Sequence, residues 1–248
     1  TNRSGENNVG IGAFADFNNN ARSRCTFVGA AGGVTNNVTP ALGFPAIRMA
    51  QGDDATAFGF GTQSATRSIS IGSLAASLGD DAVVIGYNGS TDANGDQSIA
   101  IWREASVTAA NSIAIGYQAS ISTTNSIMLG NAAISSIRGH VNFTATSDGR
   151  MKSDVRENVP GLAFIDQLRP VTYQMNMENE YALRGDTIPE ALRQAIEQKK
   201  QVRYTGFIAQ EVERAAHKTN YDFSGVEVPD DSSQLYGLRY AEFVVPLV

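Results

Sequence analysis

The densest chemistry in the chain lies in Thr146-Ser147-Asp148-Gly149-Arg150-Met151-Lys152. A serine hydroxyl is a poor nucleophile at neutral pH and needs a base beside it. Lys152, five positions after Ser147, can serve if burial or nearby cations hold its amine neutral. Asp148 and Arg150 have the planar groups for a bidentate ion pair, and Arg150 could equally hold an acid on a neighbouring chain. A plainer reading makes Ser147-Asp148 a helix cap or turn and Lys152 a solvated charge. These residues alone leave both readings open.

Gln210 and Glu211 open a predicted helix from Ile208 to about His217, with Val212 and Ala216 spaced for its apolar face. Orienting the Ser147/Lys152 pair, building an oxyanion site and capping the helix stand as alternative roles for them. A second helix is expected from Pro189 to about Val202. Its apolar stripe is Ala191, Leu192, Ala195 and Ile196, and its basic end is Lys199-Lys200-Gln201-Val202-Arg203. That basic run is the solvated end of a helix rather than a nucleic-acid patch. His140 and His217 are far apart in sequence, with no ligand pattern around them, and are read as non-catalytic. Cys25 is the only cysteine, so neither an intrachain disulfide nor a cysteine-based zinc site can form. No metal or cofactor is expected.

The sequence has two grammars that meet near residue 145. Before it Gly, Ala, Ser, Asn and Thr dominate; after it come Lys, Arg, Glu, Pro and Tyr. The expected domains are 1–145, with 1–54 irregular, and 146–248. The first half repeats itself: Ser68-Ile69-Ser70-Ile71-Gly72, Ala82-Val83-Val84-Ile85-Gly86, Ser112-Ile113-Ala114-Ile115-Gly116 and Ser126-Ile127-Met128-Leu129-Gly130. Gly72 and Gly86 are 14 apart, as are Gly116 and Gly130. The gap between holds a degenerate copy, Ser98-Ile99-Ala100-Ile101-Trp102, with Trp102 in the glycine position, and Ala57-Phe58-Gly59 is an earlier member. Alternating apolar and small residues give a strand with one face buried, and the glycine allows a tight bend. The Tyr-Gln-Ala-Ser type segment that follows can start a second short strand. A unit this short cannot bury its own face, so successive coils must stack into a β-solenoid. Val9-Gly10-Ile11-Gly12 and Phe27-Val28-Gly29 are candidate irregular coils, separated by Asn-rich stretches at Asn18–Asn20 and Asn36–Asn37 that suggest longer loops.

Over about residues 55–135 these copies resemble the head repeats of YadA-type trimeric autotransporter adhesins. That resemblance implies an all-β, left-handed parallel β-roll with three chains side by side. Trp102 and the insert at Gly89–Gly95 depart from the pattern. The second half resembles the endosialidase-type intramolecular chaperone, a self-cleaving α+β module at the C-terminus of trimeric phage tail spikes and bacterial surface fibres. Four segments carry this likeness in order: Ser147-Asp148-x-Arg150-x-Lys152, Leu168-Arg169-Pro170-Val171-Thr172-Tyr173, Gly206-Phe207-Ile208-Ala209-Gln210-Glu211-Val212-Glu213, and Tyr240 through Pro246-Leu247. The resemblance implies that Ser147 cuts the Thr146–Ser147 bond with Lys152 as base, once per chain. It also favours a place near the site for Asp148, Arg150, Gln210 and Glu211. Members of that family continue into a C-terminal helix that forms a coiled coil, whereas this sequence stops at Val248.

A net charge of -6 argues against wrapping around nucleic acid, and no apolar run reaches the length of a membrane span. The expected function is a homotrimeric, extracellular fibre or surface-adhesin tip, of phage, bacterial-surface or injection-device type. Its C-terminal domain drives assembly and releases itself, and its partner is a cell-surface receptor or glycan. The alternatives are an uncleaved structural cap of a receptor-binding fibre and a fragment of a glycan-degrading tail spike. Residues 1–146 are too short and too poor in acids for a glycan-degrading domain. A membrane-tethered transcription factor would need a DNA-binding domain and a span that the sequence lacks.

Overall fold

The computed structural model describes residues 9–11, 15–16, 23–29, 32–33, 52–183, 185, 187–229 and 234–248. The Asn-rich stretches at Asn18–Asn20 and Asn36–Asn37, and most of 1–54, lie outside them. The chain divides into two compact units, Thr1–Ile134 and Ser135–Val248.

The first unit is a parallel β-solenoid. Each coil contributes one three-residue strand to an eight-stranded parallel sheet, and five coils contribute a two-residue strand to a second parallel sheet. The repeats stack in register: Ile69 pairs with Val83, Val83 with Ile99, Ile99 with Ile113 and Ile113 with Ile127. The degenerate copy ending at Trp102 is thus a full member of the sheet. The second strands are Gln63–Ser64, Ala76–Ser77, Ser90–Thr91, Ser106–Val107 and Ser120–Ile121. Val9–Ile11 and Thr26–Val28 extend the first sheet, with Thr26 against Thr56, so the two candidate early coils do join the same roll.

The coil is so narrow that its interior accepts only small or slender residues. From the first sheet it takes Ala57, Ser70, Val84, Ala100 and Ala114; from the second, Ser64, Ser77, Thr91, Val107 and Ile121. The core therefore changes from hydroxyl-lined to aliphatic along the stack. Its early serines are paired: Ser70 Oγ donates to Ser77 Oγ at 2.9 Å, and Ser64 Oγ to the Ser68 carbonyl at 2.7 Å. Where a serine opens a repeat, it has its own task. Ser98 Oγ donates to the Ala109 carbonyl at 2.9 Å and accepts from Ser112 N at 3.1 Å, and Ser112 Oγ repeats the donation to the Thr123 carbonyl at 2.8 Å. One hydroxyl thus ties a coil to the next.

The corner glycines are required by the stacking. Gly72 has φ +125°, and a Cβ there would lie 2.3 Å from the carbonyl oxygen of Gly86. At the opposite corner a column of residues with φ between 50° and 58° runs through Arg67, Asp81, Gln97, Asn111 and Asn125. Their side chains pair along the axis. Arg67 grips Asp81 through two bonds of 2.6 and 2.7 Å, and Asn111 Nδ2 donates to Asn125 Oδ1 at 2.7 Å.

The second unit mixes helices and strands. After α1 (Leu162–Ile165), α2 (Met177–Leu183), α3 (Glu190–Lys200) and α4 (Ala209–Lys218) come in chain order. Strand Val171–Tyr173 pairs antiparallel with Tyr204–Gly206. The core gathers Phe164, Val212, Ala215, Ala216, Phe223 and Phe243, with Phe223 ring-to-ring at 4.9 Å from both Phe164 and Phe243. Both predicted helices form: α3 buries Leu192 and Ile196 with Pro189 as its cap, and α4 buries Val212 and Ala216. Gly206 is glycine because Tyr240 packs over it: an added Cβ would meet the phenol oxygen at 2.2 Å, and that oxygen accepts from Phe207 N at 3.1 Å. This contact joins two of the sequence motifs, the one that begins at Gly206 and the one that begins at Tyr240. Among the described residues no helix is long and apolar enough to cross a membrane.

Candidate autoproteolytic site

Ser147 stands at the entrance of a single 3-10 turn, Gly149–Met151. Asp148 caps it, its Oδ1 accepting from Arg150 N at 2.8 Å, while Met151 N and Lys152 N close the turn on the carbonyls of Asp148 and Gly149 at 3.0 and 3.1 Å. The turn folds the chain back, and Lys152 leaves it in an extended conformation (φ -101°, ψ 133°). Its Nζ donates to Ser147 Oγ at 2.8 Å. A five-residue spacing around one tight turn is thus enough to bring the Ser147 hydroxyl and the Lys152 amine into contact.

The acid and the arginine between them form their own clamp. Arg150 Nε donates to Asp148 Oδ1 at 3.0 Å and Nη2 to Oδ2 at 2.6 Å. The guanidinium, then the Arg150 backbone N–H, holds the Asp148 carboxyl below the usual carboxylate range. Asp148 therefore stays ionised and keeps its cap on the turn that presents Ser147.

Glu211 goes elsewhere. On α4 it takes Arg169 in a bidentate pair, Nη2 to Oε1 at 2.6 Å and Nε to Oε2 at 3.0 Å, and this pairing holds its carboxyl below the usual range. The pair lines a concavity of about 300 Å³ with Gln167, Arg214, Ala215 and Lys218, and Lys218 Nζ donates to Gln167 Oε1 at 2.6 Å. Gln210, next to Glu211, is exposed. The structure thus joins Ser147 to Lys152 and Asp148 to Arg150, and gives Glu211 to Arg169. Sequence reasoning passed over Arg169 as a functional partner because 42 residues separate it from Glu211; its place before Pro170 in a motif was the only signal.

Ser147, Arg150, Met151 and Lys152 are all exposed in the single chain. So are the apolar side chains around them in sequence: Val141 is 86% exposed, Phe143 93% and Val155 80%. The single chain therefore leaves the Ser147 and Lys152 pair open to solvent.

Comparison with known families matches each unit to a different family. Residues 147–220 match the family described as the chaperone of endosialidase, and the match begins at Ser147. Residues 64–88, 93–119 and 108–133 match the YadA head domain repeat. The first unit is thus similar to YadA head repeats and the second to the chaperone of endosialidase. Among solved structures, the collagen-binding domain of the Yersinia adhesin YadA is similar at 23% identity, covering 57% of this chain and 68% of its own, with a TM-score of 0.40. No curated protein matches the chain.

Proposed function

We propose that the protein is the tip of a homotrimeric extracellular fibre or surface adhesin, whose second unit drives assembly and then releases itself by cutting Thr146–Ser147. One observation carries the trimeric part: the outer side of the eight-stranded sheet is an apolar face. Ile69, Ile71, Ile85 and Ile115 are 38–39% exposed, Leu129 43% and Ile127 64%. A monomer rarely presents so continuous an apolar strip to water. Its straight, repetitive form suits copies of itself, and the family likeness of both units supports three.

Assembly of such a shaft is slow, because three chains must align before any of them gains its inter-chain contacts. A unit that first brings the C-terminal ends together raises the local concentration of the shafts. The same meeting of chains would cover Val141, Phe143, Met151 and Val155, and with them Lys152. Once the amine is neutral it takes the Ser147 hydroxyl proton, and Oγ attacks the Thr146 carbonyl carbon. The Thr146–Ser147 C–N bond breaks as Lys152 returns the proton to the leaving nitrogen, leaving the Thr146 acyl group on Oγ as an ester. Water then hydrolyses that ester to a Thr146 carboxylate and a free Ser147 hydroxyl. The new N-terminus at Ser147 belongs to the released unit. Loss of the assembly unit would leave the shaft unable to refold readily and therefore kinetically trapped.

The test is intact mass of the freshly made full chain beside Ser147→Ala and Lys152→Met variants, with sedimentation to give the copy number. Fragments ending at Thr146 and starting at Ser147 in the parent alone, with a threefold shaft, are the expected result. Intact monomers in all three would overturn the proposal. A receptor or glycan on the host surface is the fitting partner for an exposed fibre of this kind.

A further inference from the structure

The apolar face of the solenoid is almost the same from coil to coil. Its outward positions are Ile69 and Ile71, Val83 and Ile85, Ile99 and Ile101, Ile113 and Ile115, then Ile127 and Leu129, aligned strand to strand. If three such faces pack together, sliding one chain by a single coil, about 4.8 Å, sets isoleucine on isoleucine again. Side-to-side packing is specified, but axial alignment is left open, as in any repetitive strand face.

Between Gly72 and Gly130 one coil breaks the pattern, and it does so twice. From Gly86 to Trp102 the step is 16 residues where the neighbouring steps, 72 to 86 and 102 to 116, are 14. The extra residues make a turn in which Asn94 N donates to Asp92 Oδ1 at 2.8 Å and Gly95 N to the Asp92 carbonyl at 3.0 Å. The coil then ends on Trp102, where the other corners carry Gly59, Gly72, Gly86, Gly116 and Gly130. Trp102 has φ +108°, a conformation that side chains rarely adopt, yet its N–H keeps the ladder bond to Ile85 O at 2.7 Å. The indole is 63% exposed and follows directly on the outward Ile101. Arg103, next in the chain, is held between the rings of Tyr87 and Tyr117 at 5.8 and 5.4 Å, which fixes the corner that carries the indole. A strained residue in place of an unstrained glycine persists where it serves a purpose.

We infer that Trp102 is the axial register mark of the assembly, an inference that rests on the trimeric reading above. In an aligned trimer the three indoles come to one level at the margin of the apolar face beside Ile101. A chain displaced by one coil sets its indole against a neighbour's glycine corner at Gly86 or Gly116 and loses that contact. The mark has its greatest use after release of the assembly unit, when the shaft must hold its own alignment.

The experiment uses full-length chains in a Cys25→Ala background. One population carries Ile101→Cys and the other Ile115→Cys, with different purification tags. Both are co-expressed and joined with a short bis-maleimide, and the links are read by peptide mass mapping. With Trp102 present, 101–101 and 115–115 links are expected. With Trp102→Gly, which restores the repeat and so should fold, 101–115 links rise by about tenfold, the factor that roughly one aromatic contact is worth. Trp102→Phe returns the parent pattern. A trimeric Trp102→Gly protein with the parent pattern overturns the register role and leaves the trimer standing. Monomers by sedimentation in parent and variant alike overturn the trimeric reading itself, and this inference with it.

Discussion

Lys152 Nζ and Ser147 Oγ are in hydrogen-bond contact at 2.8 Å, held there by one turn of 3-10 helix. Proximity is therefore built into the single chain. The proposed reaction should then depend on the amine of Lys152 itself, not only on a long side chain at that position. Lys152→Arg keeps a cation that cannot give up its proton and should abolish cutting, whereas Lys152→Met should do so without the charge.

Asp148 acts through the turn it caps. Asp148→Ala removes both the cap and the clamp on Arg150, and loosening a reacting pair by an ångström or so costs about 100-fold in rate. Asp148→Asn keeps the cap and should lose less. Equal rates for the two variants and the parent would show that the turn does not position Ser147.

Ala100 and Ala114 are fully buried inside the solenoid. Ala114→Leu forces extra methylenes into a coil lined by small residues and should destabilise the first unit by about 1–3 kcal/mol. Phe164→Ala removes the centre of the aromatic cluster in the second unit at about 3–5 kcal/mol. Because the two units have separate cores, urea unfolding should show each variant shifting a different transition.

The axial ladder on the solenoid corner gives a pH signature. Arg67 depresses the carboxyl of Asp81, and Arg24 that of Asp54. A depressed folded value means that the contribution is present above the unfolded carboxylate value, about 3.9, and fades as pH falls through the folded one. Asp81→Asn should therefore melt slightly below the parent at pH 7, and the gap should close in strong acid. Both residues are solvent-exposed, so the difference is small and shrinks with salt.

Much of this architecture is legible in the sequence, and the reasons are local. Ser-Ile-Ala-Ile-Gly states strand, face and bend in five residues, so even the copy ending in Trp102 could be placed in the sheet. Helices α3 and α4 follow from apolar spacing, their ends moving by one or two residues because caps such as Pro189 and Ile208 lie just outside. Ser147 and Lys152 are legible because one turn joins them. Glu211 is not, since its partner Arg169 comes from a distant segment and any of three roles suits a helix-opening acid. Nor does spacing reveal that the repeat serines bond across coils, or that Ser64, Ser70 and Ser77 give way inside the coil to Val107 and Ile121.

Native mass spectrometry of the freshly made full-length protein tests the central claim most directly, because one spectrum reports copy number and cleavage together. The account expects a threefold complex of chains ending at Thr146, with the unit beginning at Ser147 bound or released, and an uncut threefold complex for Ser147→Ala. A single, uncut chain as the dominant species for the parent would contradict it.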